Sequence, residues 1–283
     1  MSYLISIFLT LTWSFNSFSC SEDGSSGFLP ENSLNIPVGL TNGGISEKDF
    51  NTVIDKFEAI YSPIVSNLLG QLFINRRWSS GTVNANATQN NRRWIVNLFG
   101  GLARHPSITV DGFALILCHE IGHHLGGAPK ISKWASSEGQ ADYFGTLKCL
   151  RQGFLNDDNI GALQGLNIPI HLREGCHRAW DNTDDRNICI RSGMAGASVS
   201  HLFASLDSRP APEFGSPDPT VIFRSSGVHP QPQCRLDTFF QGALCEIPFN
   251  QDVSQRDEKE GTCNRSTGQE VGIRPLCWFR PKA

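Results

Sequence analysis

No run of about 20 apolar residues occurs in the 283-residue chain, so no segment reads as a membrane-spanning helix. Basic charge is not in excess either. Lys and Arg total 24 against 27 Asp and Glu, a net charge of -3. Nucleic-acid binding requires a basic surface, and this balance argues against one. Cys-x-x-Cys is absent, which removes a cysteine-type zinc knuckle. There is no internal repeat and no low-complexity tract, so a solenoid or a disordered tail is not expected.

The start of the chain also lacks something. Residues 4–13 are apolar, but no Lys or Arg precedes them, unlike the usual basic leader. Their length suits the core of a signal peptide, expected over residues 1–19. The polar "SEDGSSG" that follows reads as the start of a flexible tether over 20–45. Cys20 ends the apolar segment, where a lipoprotein would carry its lipidated N-terminus, although Ser17 stands where an aliphatic residue is preferred. The expected setting is exported, periplasmic or cell-surface, with possible membrane attachment through a lipidated Cys20.

What the chain has in quantity is cysteine. Nine are present, and without Cys20 eight remain, an even number suited to an oxidising compartment. Eight cysteines allow 105 connectivities. The expected pairs are Cys118–Cys149, bracing two helices, and three local ones: Cys176–Cys189, Cys234–Cys245 and Cys263–Cys277.

Hydrophobic periodicity predicts an α+β domain over 46–250, mainly helical, with a small antiparallel sheet before its central helix. A first helix begins after Ser46, which with Asp49 forms a capping box. Its apolar stripe is Phe50, Val53, Ile54, Phe57, Ile60 and Tyr61, and Pro63 is expected to kink or split it. Strand signals follow in "QLFINRRW", "GTVNANATQ" and "RWIVNLFGGL", the last expected to form the sheet edge. A second helix, capped by Thr109 or Ser107, reads "VDGFALILCHEIGHHL" and stops at Gly126 and Gly127. Further helices are expected over 132–152, 184–206 and 235–244. Residues 251–283 read as a polar tail stapled to itself by disulfide.

Within the second helix, His119 and His123 are four apart and project from one face, one turn apart. That spacing lets both Nε2 atoms reach one zinc. Glu120, about 100° round the helix, is placed to act on a water as general base. The extended pattern with a third histidine fails, because Pro129 occupies that position and has no donor atom. "SSEGQADYFG" supplies an alternative, with Glu138 as third ligand and Asp142, one turn on, buttressing a ligand histidine. His124 points away and reads as a core or supporting residue. His229, Arg235 and Tyr143 are the candidates for holding the oxyanion.

"HEIGHHLGG" followed by "EGQAD", and later "HPQPQCRLD", resembles the gluzincin metallopeptidases of the HtpX and CAAX-prenyl-endopeptidase type, here without membrane helices. The resemblance implies a zincin-like fold, one Zn2+ held by His119, His123 and Glu138, Glu120 as base, and a peptide or protein substrate. The expected function is therefore that of a zinc metalloendopeptidase. A non-catalytic cell-surface binding lipoprotein retaining the fold is the competing expectation. It would have no need of Glu120.

Overall fold

The structure is a computed structural model that describes residues 27–40 and 43–282. The expected signal peptide, the lipidation site Cys20 and the start of the tether lie outside the described residues.

Helix α1 (Glu47–Asn67) begins at the capping box, with Ser46 and Asp49 satisfying each other's backbone donors. It passes through Pro63 without splitting. Phe50, Ile54 and Phe57 are buried on its inner face. Strands β1 (Gln71–Arg77), β2 (Ala85–Asn90) and β3 (Arg93–Phe99) follow, then the short helix α2 (Gly100–Ala103).

The sheet is mixed, not antiparallel, with order β1-β3-β2. β2 and β3 are antiparallel, joined by a two-residue turn in which Asn91 takes φ +54°. β1 lies parallel to β3 on its other side. The reason is the link between β1 and β2, which is a crossing rather than a tight turn. Buried Arg104 gathers it, donating to the carbonyls of Trp78 at 2.8 Å and Ser80 at 2.8 Å, and also to Ile36 at 3.0 Å. β3 is consequently the central strand, and β2 is an edge.

Helix α3 (Val110–Leu125) is capped by Thr109, whose hydroxyl accepts from the Gly112 amide at 3.0 Å. All residues from Gly112 to His124 are buried, which explains its weak amphipathic pattern. The next helix starts at Glu138 rather than at residue 132. It runs as α4 (Glu138–Phe144), a π-helical stretch (Gly145–Cys149) and α5 (Leu150–Phe154). Residues 126–137 form a pinned loop instead. Ser136 donates its amide to the His123 carbonyl at 2.9 Å and its hydroxyl to Gly127 at 2.7 Å, while Gln140 Nε2 donates to the Gly126 carbonyl at 2.7 Å. Helices α6 (Asn159–Leu163) and α7 (Ile170–Ala179) were not foreseen. The long α8 (Thr183–Leu206) and α9 (Pro232–Leu244) match the expected fourth and fifth helices. α8 docks on α3 through Arg191, which grips Asp111 at 2.8 and 3.0 Å.

Two expectations about the chain's margins are overturned. Phe28 and Leu29, placed in the expected tether, are fully buried, and Asn35 bridges to Thr82. Residues 251–282 are not self-stapled. Val253, Cys263, Trp278 and Phe279 join the main core, so the C-terminal segment is part of it.

The disulfides explain this anchoring. Cys118–Cys149 and Cys176–Cys189 form as expected, with Cα separations of 5.5 and 5.7 Å. The other four pair as Cys234–Cys277 and Cys245–Cys263. Cys234 lies near the start of α9 and Cys245 directly after its end, about 16 Å apart along the axis at 1.5 Å per residue. A disulfide spans a Cα separation of less than about 7 Å. The local pairing was therefore incompatible with the helix between them.

Replacing Cys118 and Cys149 together by alanine is expected to lower unfolding free energy by about 3–4 kcal/mol, the chain-entropy value for a loop of this length. Equilibrium denaturation measures it. Non-reducing peptide mapping is expected to recover Cys234–Cys277 and Cys245–Cys263.

Candidate metal centre

The side chains of His119, His123 and Glu138 converge, with one ligand atom from each lying within 4.8 Å of the others. Glu138 Oε2 is 3.3 Å from His119 Nε2, and its Oε1 is 3.6 Å from His123 Nε2. The two imidazole rings are nearly perpendicular, centroids 4.7 Å apart. Helix α3 presents both histidines on one face, and α4 brings Glu138 to it at its first residue. Close approach of the helices depends on Gly122. A Cβ there would lie 2.9 Å from the Ala141 carbonyl oxygen and 3.0 Å from its Cα.

Each histidine is oriented from behind. His119 Nδ1 is 2.7 Å from Asp142 Oδ1, and His123 Nδ1 is 3.0 Å from the Ser136 carbonyl oxygen. Both partners are acceptors, so each Nδ1 carries the proton and each Nε2 lone pair points inward. Two lone pairs and a carboxylate then face one another in a buried space. That is a repulsive set unless a cation or proton lies among them, and His119 Nε2 has Glu138 Oε2 only 3.3 Å away. Three convergent acceptors, two of them imidazoles each held from behind by an acceptor as metal-bound imidazoles are, fit a divalent cation.

The protonation preferences reflect the same crowding. Burial opposes charge on His119, but the attraction and hydrogen bond of Asp142, then Glu138, prevail and raise it to about 9. Burial lowers His123 to about 4 and His124 to about 3. For Glu138, burial opposes the carboxylate but is outweighed by His229, His123 and His119, leaving it well below the usual range. Glu120 is pushed up to about 8 by its burial, against the pull of His119 and Arg235.

The remaining predicted residues separate. His229 is at the centre, its Nε2 3.3 Å from Glu138 Oε2. Arg235 is not an oxyanion donor. It is fully buried behind His119, with Nη2 2.5 Å from Asp142 Oδ1. Its guanidinium lies over the rings of Phe203 at 4.0 Å and Phe28 at 4.7 Å. Tyr143 is also removed from that role. Its hydroxyl donates to the Gly272 carbonyl at 2.5 Å and accepts from the Cys263 amide at 3.3 Å, so it anchors the C-terminal segment. His124, as expected, is no ligand, and stacks between Trp94 and Trp134.

Sequence reasoning missed the Ser136 carbonyl, because a backbone acceptor leaves no residue-type signal. It also missed Phe28, whose ring meets His119 edge-on at 4.9 Å. A second cluster, Asp218 with Cys234 and Cys277, has ligand-like spacing. Its two sulfurs are joined in a disulfide and cannot act as thiolate ligands.

Asp142→Asn is expected to weaken divalent-metal binding 10- to 100-fold, the usual cost of losing a carboxylate behind a ligand histidine. Competition with a chelating dye reads this directly. No family model, curated protein or solved structure matches the chain, and the metal centre therefore rests on its own geometry.

Proposed function

We propose that the chain is a zinc-dependent endopeptidase of the gluzincin type, in a zincin-like fold. The observation that carries this reading is the convergence of His119, His123 and Glu138 beside a buried Glu120 on the same helix. Two imidazoles and one carboxylate form a donor set that suits zinc and leaves a position open for chemistry. Zinc bound there would supply a Lewis acid that polarises a carbonyl and lowers the pKa of water toward about 7.

The chain's own groups then divide the work. Glu120 takes a proton from the attacking water and delivers it to the leaving amine nitrogen. Its burial, which raises its affinity for protons, favours the delivery half of that transfer. His229, held beside Glu138, is placed to donate an N–H to the carbonyl oxygen as negative charge develops there. Asp142 and Arg235 act from behind, keeping the His119 ring in one orientation and tautomer. Edge strand β2 offers backbone groups to an extended peptide.

Export belongs to the same reading. Four disulfides, and the lack among the described residues of a helix able to cross a membrane, are compatible with an oxidising extracytoplasmic setting.

Elemental analysis of purified protein is expected to find about one zinc per chain, removable by chelator and diminished in Glu138→Ala. Full occupancy in that variant contradicts the assigned ligand set. Glu120→Gln preserves side-chain size but removes the proton acceptor. It is expected to retain zinc while peptide hydrolysis falls at least roughly 100-fold. Unchanged turnover by Glu120→Gln excludes Glu120 as the base.

A further inference from the structure

The metal centre is covered by the chain's own N-terminal segment. Gly27, Phe28 and Leu29 are bound there much as a peptide ligand would be. The Gly27 carbonyl oxygen is 3.1 Å from His229 Nε2. The Phe28 amide donates to the carbonyl of Ala85, the first residue of edge strand β2, at 2.7 Å. Asn84 then pairs with both backbone groups of Leu29. Its Oδ1 accepts from the Leu29 amide at 2.9 Å, and its Nδ2 donates to the Leu29 carbonyl at 3.2 Å.

Side chains complete the fit. The Phe28 ring packs edge-on against His119 and against Phe203, with the Arg235 guanidinium over its face. Position 27 tolerates only glycine, since a Cβ would lie 2.5 Å from Asn84 Oδ1 and 2.6 Å from the Ala85 carbonyl oxygen. Under this cover His119 is 0% and Glu138 2% exposed. A substrate reaching those groups has to take the place of this segment. Directly after it, Pro30, Glu31, Asn32, Ser33, Leu34 and Asn35 are all exposed. Asn32 Nδ2 donates to the Val83 carbonyl at 3.3 Å and Asn35 bridges to Thr82, so a displaced segment hinges ahead of Asn32.

His229 makes the contact chemically specific. Its single Nε2 hydrogen lies between two acceptors, the Gly27 carbonyl at 3.1 Å and Glu138 Oε2 at 3.3 Å. In the peptidase reading that hydrogen is needed by the substrate carbonyl. The Gly27 carbonyl and a substrate carbonyl compete for that place beside Nε2.

We propose that the groove formed by Asn84, Ala85, His119 and His229 is a binding site for an extended peptide with a glycine followed by an aromatic and then an aliphatic residue, and that Gly27, Phe28 and Leu29 are its resident, displaceable occupant. The ligand class deepens the peptidase reading, on which its catalytic meaning rests. The groove's occupancy itself stands on the contacts above.

Two substitutions in the full chain expel the occupant while leaving the groove intact. Gly27→Val introduces the forbidden Cβ. Phe28→Lys sets an ammonium beside the Arg235 guanidinium in a buried site. A fluorescently labelled peptide of sequence Gly-Phe-Leu-Pro-Glu-Asn-Ser is then titrated by anisotropy. It is expected to bind both variants at least about tenfold more tightly than the wild type, whose groove is filled. The same peptide with Ala for Phe is expected to lose that binding. Absence of binding to either folded variant overturns the proposal. So does failure of both variants to fold, which makes the segment an integral wall. Hydrolysis of the peptide by the zinc-loaded variants is scored separately. Binding without hydrolysis supports the groove and counts against the peptidase reading.

Discussion

A carboxylate with no solvent exposure lies between an imidazole and a guanidinium, and the candidate metal centre depends on it. Asp142 Oδ1 is 2.7 Å from His119 Nδ1 and 2.5 Å from Arg235 Nη2. Burying a charge is costly unless it is paired and hydrogen-bonded, and removing one partner of such a pair is costlier still. The three groups must therefore arrive together, although α3, α4 and α9 carry one each. Asp142 thus ties the later helix α9 to the two ligand helices. The same contact directs the His119 Nε2 lone pair toward Glu138. Fold stability and metal-site geometry here are two consequences of one ion cluster.

Arg235 shows why that cluster tolerates the interior. Only Nη2 meets a carboxylate, while the flat guanidinium spreads over Phe28, Phe203 and Phe239. Guanidinium is weakly hydrated and stacks on aromatic faces, which a lysine in this place would not do as well. Phe28 consequently has two partners at once, the cation on one side and His119 on the other. The N-terminal segment, the cation and the ligand histidine form one packed unit.

The sequence was most informative where function demands residue types at helical spacing. The convergence of His119 and His123 was legible from a four-residue period, and that of Glu138 with Asp142 from a second one. Their pairing across space was legible because a glycine pair and a proline end α3 and force a reversal. The Cys118–Cys149 brace followed from the same reversal. Arg235 was found as a residue but misassigned, since a motif does not tell which side of a histidine a guanidinium approaches from. The parallel pairing of β1 with β3 was hidden because it is set by Arg104 gathering backbone carbonyls, a contact without a pattern. The expected Cys234–Cys245 pair ignored the length of α9. Phe28 was invisible in a stretch rich in small polar residues, where composition suggests a tether and a single aromatic decides otherwise.

What remains is how two helices hold ligand atoms within 4.8 Å of one another to the sub-ångström tolerance that a metal site requires. The restraints act at separate points along the crossing. Near its middle, Gly122 lets the α4 backbone approach to a distance any side chain would forbid. At one end, the loop between the helices is tied back on both sides, through Ser136 to His123 and Gln140 to Gly126. At the other, Cys118 is bonded to Cys149, where a π-helical stretch closes. The i→i+5 bonding of such a stretch changes which residues face the neighbouring helix, and here the face it presents carries Cys149. A crossing fixed at its centre and at both ends can neither slide nor pivot. The candidate ligands His119, His123 and Glu138 all lie between the two end restraints.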